Sequence, residues 1–168
     1  LEFPHILVQV SSNSMKVPAA TAHRGFPAKV PENTLPSVLA ALEAGADEVE
    51  VDVRLTLHDK LVVIHDPTVD RTTNGSGKVR RLVLEELQTL DAGKGACIPT
   101  LAELLEMFER FWLQGTGAGL QIELKEPGTE LRTIELLHGN RFLDRIMLTS
   151  FSARRIGTIR RAFPATRT

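Results

Sequence analysis

Glu50, Asp52 and Glu123 are the residues from which a chemical reading of this 168-residue chain begins. Glu50 and Asp52 lie in Glu48-Val49-Glu50-Val51-Asp52-Val53-Arg54-Leu55, where charged and apolar residues alternate strictly. Period-two alternation is the mark of a strand and puts both acids on one face. Leu120-Gln121-Ile122-Glu123-Leu124-Lys125 repeats the pattern, with Glu123 and Lys125 opposite the apolar set. Three carboxylates gathered from two strands make an all-oxygen anionic site, and such crowding raises their pKa values unless a cation neutralises them. With no His or Cys in the set, oxygen ligation favours Mg²⁺ or Ca²⁺ over Zn²⁺. The competing reading of Glu50 and Asp52 is a solvated sheet face. Spacing alone leaves the two readings level, and adding Glu123 favours the site.

Two histidines fall at the ends of expected strands, His23 in His23-Arg24-Gly25 and His65 in His65-Asp66. Imidazoles beside an anionic metal site can serve as general base and general acid near neutral pH. Arg24 adds a planar fork that suits phosphate oxygens, and Lys125 adds a point charge. His5, His58 and His138 have no comparable setting and are expected on the surface. Asn74-Gly75-Ser76 has the form of a glycosylation acceptor but reads as a plain turn.

Elements must deliver these groups to one place. Strands are expected at 19–23, 47–53, 61–65, 120–125 and 146–150. Leu35, Val38, Leu39 and Leu42 form a helical stripe, capped by Asn33 or Thr34 and ended by Gly45. Thr100 and Glu103 form a capping-box pattern ahead of Leu101, Leu104, Leu105 and Phe108. Shorter helices are expected over 82–90, 129–137 and 152–163. Strands alternating with helices mean an α/β fold with a parallel sheet. Helices would cover both faces of an open doubly wound sheet and bury Glu50, Asp52, Glu123 and Lys125 among apolar groups. In a barrel that face is the interior, and charge is tolerated near the C-terminal rim. The barrel is the better fit, with His23 and His65 ending the first and third strands on either side of the two acids.

Composition removes other classes. A net charge of −1 makes no electrostatic case for nucleic acid or an anionic membrane surface. The single cysteine, Cys97, excludes an internal disulfide framework and a cysteine metal cage. No apolar run reaches the ~20 residues of a membrane span. With no basic leader, the chain is expected to be cytoplasmic. Residues 1–17 read as an N-terminal extension, either a capping strand or an appended segment, without an assigned function.

The motifs taken together resemble the glycerophosphodiester phosphodiesterase family. They are His23-Arg24-Gly25, Pro31-Glu32-Asn33-Thr34, Glu50-Val51-Asp52-Val53, His65-Asp66-Pro67 with Asp70-Arg71-Thr72-Thr73, Ile98-Pro99-Thr100-Leu101, and Glu123-Leu124-Lys125. Six in order, across roughly Pro18 to Phe163, make the resemblance specific. It implies a TIM-type barrel domain over 18–168, with an insertion at 66–98 after the third strand. It also implies metal ligation by Glu50, Asp52 and Glu123, and acid/base roles for His23 and His65. Arg24 and Lys125 would hold phosphate, with Glu32 and Asn33 in support. The implied reaction is metal-dependent hydrolysis of a glycerophosphodiester to glycerol 3-phosphate and an alcohol, which belongs to lipid and glycerol metabolism. The alternatives are cleavage of lysophospholipids or sphingolipids at a similar site, and an inactive fragment or binding module that keeps the metal site. Only five of a barrel's eight strands are expected, so the reading is an open five-stranded parallel sheet with the site along one edge. Its first and last strands would be unpaired edges, a potential route to oligomers, and activity would be weak or absent.

Overall fold

The structure, a computed structural model, describes residues 19–168. The expected N-terminal extension and His5 lie outside the described residues. Strand β1 (Thr21–His23) leads through a loop to helix α1 (Leu35–Glu43) and strand β2 (Glu48–Leu55). Strand β3 (Leu61–Val63) follows, then a 3₁₀ turn at Val79–Arg81 and helix α2 (Leu84–Gln88). The remainder is α3 (Leu101–Leu113), β4 (Gly119–Leu124), α4 (Thr129–Leu137), β5 (Ile146–Thr149) and α5 (Ala153–Ala162).

The sheet runs β1-β2-β4-β5, with β1–β2, β2–β4 and β4–β5 all parallel. Register places Asp52 opposite Glu123 and His23 opposite Glu50. β3 departs from the expected parallel order. It pairs antiparallel with the end of β2, Val53 opposite Val63 and Leu55 opposite Leu61. Only Thr56 to Lys60 joins the two, turning through Asp59 at φ 58°. A parallel partner needs a crossover of roughly a dozen residues or more. His65 therefore leaves an antiparallel arm and does not end a parallel strand. The acids stand in the middle of the sheet, on adjacent β2 and β4, and not along one edge. The edge at β5 is also partly covered, because Arg167 pairs parallel with Met147 and its carbonyl accepts from Leu148 N at 2.9 Å. β1 has β2 as its one strand partner among the described residues.

One core lies between the sheet and the helices. Val49, Val51, Val53 and Leu55 of β2 join Leu120, Ile122, Leu124, Ile146 and Leu148, all almost fully buried. Helix α3 covers them with Leu101, Leu104, Leu105, Phe108 and Trp112. Its start is fixed by Thr100, whose side chain accepts from Glu103 N while Glu103 accepts from Thr100 N. Thr34 caps α1 through Ser37 N. The insertion packs around a second, smaller cluster of Val62, Ile64, Val69, Val79, Leu87 and Ile98. Its helix is shorter than the 82–90 expected, because Leu82 and Val83 are extended and Thr89 is already the C-cap. Asn74 lies in a bend tied to Asp91, not in a hydrogen-bonded turn, and the exposed His58 and His138 are where they were expected.

Candidate active site

The loop after β1 has an unusual backbone. Arg24 and Gly25 both take left-handed conformations, φ 59° and 85°. A Cβ on Gly25 would fall 2.5 Å from Ser37 Oγ and 2.7 Å from the Ser37 carbonyl carbon, so only glycine fits. The bend folds the loop back over the β2 end, where Arg24 N bonds both the Glu50 carbonyl at 3.0 Å and Glu50 Oε2 at 3.2 Å. Asn33, also left-handed at φ 56°, grips Asp52 twice. Its Nδ2 donates to Asp52 Oδ2 at 2.8 Å, and its Oδ1 accepts from Asp52 N at 3.2 Å. Non-glycine residues in this region persist where the surroundings over-determine them, commonly at functional sites.

Glu50, Asp52 and Glu123 converge. One carboxylate oxygen from each lies within 4.8 Å of the others. Glu50 is 4% exposed and Asp52 fully buried, whereas Glu123 is half-buried. Lys125 Nζ sits between Asp52 Oδ1 and Glu123 Oε1, 2.8 Å from each. Arg24 Nε stands 3.2 Å from Asp52 Oδ2 without hydrogen-bond alignment. Two cations therefore serve Asp52, while Glu50 has none in contact. Burial, and next the neighbouring Asp52 charge, push the Glu50 carboxyl up to about 7. Glu50 Oε1 is buried with no hydrogen-bond partner among the described residues. A buried, unpartnered carboxylate oxygen facing two more acids fits a hard divalent cation. Burial opposes the Lys125 ammonium, but its contacts with Asp52 and Glu123 outweigh that and hold its pKa above the ordinary lysine value.

His23 is exposed, with Nε2 at 3.8 Å from Glu50 Oε2. His65 is held from behind, with Nδ1 at 2.6 Å from Asp66 Oδ1 and its carbonyl accepting from Arg54 Nε at 2.8 Å. Glu32 does not reach the acid cluster itself. It accepts from Arg24 Nη1 at 3.1 Å and from Arg71 Nη1 and Nη2 at 3.1 and 2.7 Å. Sequence reasoning gave no role to Arg71 or to Glu126. Glu126 accepts from Leu55 N at 2.8 Å and Arg54 Nη1 at 3.2 Å, tying the end of β2 to the loop after β4. Its place directly after Glu123-Leu124-Lys125 was the available signal. For Arg71 the signal was its place in Asp70-Arg71-Thr72-Thr73.

Residues 23–166, which span this whole arrangement, match the sequence model of the glycerophosphoryl diester phosphodiesterase family. The chain belongs to this family. A glycerophosphodiester phosphodiesterase of Caldanaerobacter subterraneus subsp. tengcongensis is 40% identical over 156 residues, covering 85% of this chain and 62% of that protein. Among solved structures, a glycerophosphodiester phosphodiesterase from Agrobacterium tumefaciens superposes with a TM-score of 0.78 at 35% identity, covering 88% of this chain and 64% of that one. A phosphodiesterase from Oleispira antarctica, in complex with the product sn-glycerol-3-phosphate, also gives 0.78 at 33% identity, covering 88% and 63%. The chain thus spans a little under two thirds of the length of these family members. The likeness makes the sheet part of a TIM-barrel-type fold, the better fit expected from the acids on one of its faces. Among the described residues no helix is long and apolar enough to cross a membrane.

Proposed function

We propose that this chain carries the active site of a metal-dependent phosphodiesterase that hydrolyses glycerophosphodiesters to glycerol 3-phosphate and an alcohol. The observation that carries the reading is the convergence of Glu50, Asp52 and Glu123, with Glu50 Oε1 buried and lacking both a hydrogen bond and an ion pair among the described residues. Product bound to the Oleispira antarctica relative supports the choice of substrate class.

In this reading Glu50, Asp52 and Glu123 hold Mg²⁺ or Ca²⁺, which when bound supplies Lewis-acid stabilisation of charge on the phosphoryl oxygens. Asn33 fixes Asp52 from both its side chain and its backbone, so that the ligand oxygens keep their direction. Arg24 and Lys125 supply positive charge to the phosphate. Glu32 holds the Arg24 guanidinium in place. His23 and His65 divide the proton transfers. One removes the proton from the attacking oxygen as it adds to phosphorus, and the other returns a proton to the alcohol oxygen as its bond to phosphorus breaks. A cytoplasmic location and pairing of two copies through the β1 edge complete the reading.

The test is release of glycerol 3-phosphate from glycerophosphocholine, with lysophosphatidylcholine as the rival substrate, each with Mg²⁺ or Ca²⁺ and with excess chelator. Cation-dependent turnover of glycerophosphocholine is expected. Preferential cleavage of lysophosphatidylcholine, or turnover that survives the chelator, would refute the reading. Isothermal titration with cation alone reports on the carboxylates separately, and an unchanged isotherm in Asp52→Asn would remove them as ligands.

A further inference from the structure

His65 is the one member of the candidate proton-transfer pair that owes its setting to the insertion. Its ring is held by its own chain neighbour, Asp66. Adjacent side chains do not face one another by default, so something must turn Asp66 back toward the imidazole. That something is Arg71. Its Nε donates to Asp66 Oδ2 at 2.6 Å and its Nη2 to Asp66 Oδ1 at 3.1 Å, a two-pronged grip on one carboxylate. Nη1 and Nη2 make the same grip on Glu32, 39 residues away on the loop after β1. One guanidinium therefore joins the insertion to the loop that carries Arg24.

The chemistry of the contact fixes the proton. An Asp66 carboxylate clamped by Arg71 is acceptor-only, so the 2.6 Å contact requires the hydrogen on His65 Nδ1. A neutral imidazole with that tautomer leaves Nε2 as its free basic nitrogen. Arg71 also draws on Glu32, which is itself bonded to Arg24, and Arg24 Nε lies beside Asp52. The line Asp52, Arg24, Glu32, Arg71, Asp66, His65 is continuous. It runs from the carboxylate cluster to the imidazole by charged contacts no longer than 3.2 Å.

We propose that Arg71 is a positioning residue for His65. By clamping Asp66 against the Glu32 loop it selects the Nδ1–H tautomer, so that Nε2 is the nitrogen that exchanges protons with the substrate. This rests on the reading of His65 as a proton-transfer group. A lysine replaces it only in part, because a single ammonium cannot present two planar edges to two carboxylates.

The test combines tautomer and turnover. Two-bond ¹H–¹⁵N spectra of histidine-labelled protein distinguish the tautomers without requiring activity. His65 is expected as Nδ1–H in the unmodified chain and as a mixture in Arg71→Ala and in Asp66→Asn. Arg71→Lys should fall between. Turnover of glycerophosphocholine should drop about ten- to hundredfold in Arg71→Ala, the usual cost of losing a partner that orients an imidazole, with KM little changed. Asp66→Asn leaves the Arg71–Glu32 pair in place and so separates loss of orientation from collapse of the loop. An unaltered His65 tautomer in both variants, or normal turnover in Arg71→Ala, would overturn the proposal. Normal turnover in His65→Ala would instead remove the underlying role of His65, whatever the tautomer result.

Discussion

The strand-borne acids and the insertion-borne acid stand in opposite electrostatic conditions. Glu50 is buried beside Asp52 without a cation of its own, and its pKa rises to about 7. Asp66 is partly exposed, yet hydrogen bonds from Arg71 hold its carboxyl well below the usual carboxylate range. Arg71 in turn is held above its ordinary value, chiefly by Glu32. The cluster on β2 and β4 is short of positive charge and suited to receive a cation. The insertion is already neutralised by arginine and suited to hold a shape. Burial is the first cause of the rise at Glu50, whereas at Asp66 the Arg71 guanidinium outweighs the smaller cost of burial. The nearest donors differ as well, a backbone N–H that only partly offsets burial at Glu50 and a guanidinium at Asp66.

The largest effect expected from that contrast is on turnover. His23→Ala and His65→Ala should each reduce kcat by about 10²–10⁴-fold, the ordinary contribution of general acid/base groups. Cation affinity, measured by calorimetry, should hardly move, because neither imidazole is among the three ligands. A matched loss of affinity would assign the histidine to the cation instead.

The small core under the insertion should be separable from the cation site. Leu87 is fully buried in that cluster, and Leu87→Ala should destabilise it by about 2–5 kcal/mol. Hydrogen exchange should quicken over Val69 to Ile98 and stay slow in β2 and β4. Turnover should fall through His65 while the cation isotherm is retained. Uniform loss of protection across both regions would show that the two cores unfold as one.

Strand faces were legible because period two leaves no choice. Once Val49, Val51 and Val53 are inside the core, Glu50 and Asp52 must turn the other way. Helix starts at Thr34 and Thr100 were legible because capping is local. The direction of β3 was misread despite a visible cue, since the link from Leu55 to Leu61 is far too short for a parallel crossover. The approach of Arg71 to Glu32 was not legible at all. It depends on where the insertion folds back, which no local pattern encodes. Lys125 shows the same limit. Its presence in the site was expected, but its position between Asp52 and Glu123 was not.

Glu50→Gln should sharpen the contrast through stability. A carboxylate whose folded pKa is raised contributes stability below its unfolded value, near 4.3, and loses it as pH rises through about 7. At pH 8 without cation, the neutral glutamine should therefore make the protein more stable than the unmodified chain. Cation at a hundred times its Kd should narrow that difference, because binding adds about 2.7 kcal/mol to the unmodified chain and less to the variant. For the unmodified chain, apparent cation affinity should drop about tenfold per pH unit below 7, as a proton competes for Glu50. Thermal melts across pH 5.5–8.5 with and without cation would check this, and pH-independent cation stabilisation would refute it.

The smallest effect should appear in acid, and it belongs to the clamp between the insertion and the β1 loop. Glu32, like Asp66, is held below the ordinary carboxylate range, first of all by its hydrogen bond to Arg71. A depressed pKa contributes stability at pH values above the unfolded one and loses it as pH falls through the folded one. Arg71→Ala removes the cation that both acids share and should move the acid-unfolding transition of the insertion to higher pH. The partial exposure of Asp66 and Arg71 keeps the shift modest, since solvent screens the pairs. Salt should narrow the difference between the two proteins, whereas the Glu50→Gln effect, arising from a buried group, should persist in salt. Acid titration followed by hydrogen exchange in the insertion, at low and high ionic strength, separates the two. An acid transition unchanged by Arg71→Ala would mean that Glu32 and Asp66 find other donors, and that the clamp between the insertion and the β1 loop is not held by charge.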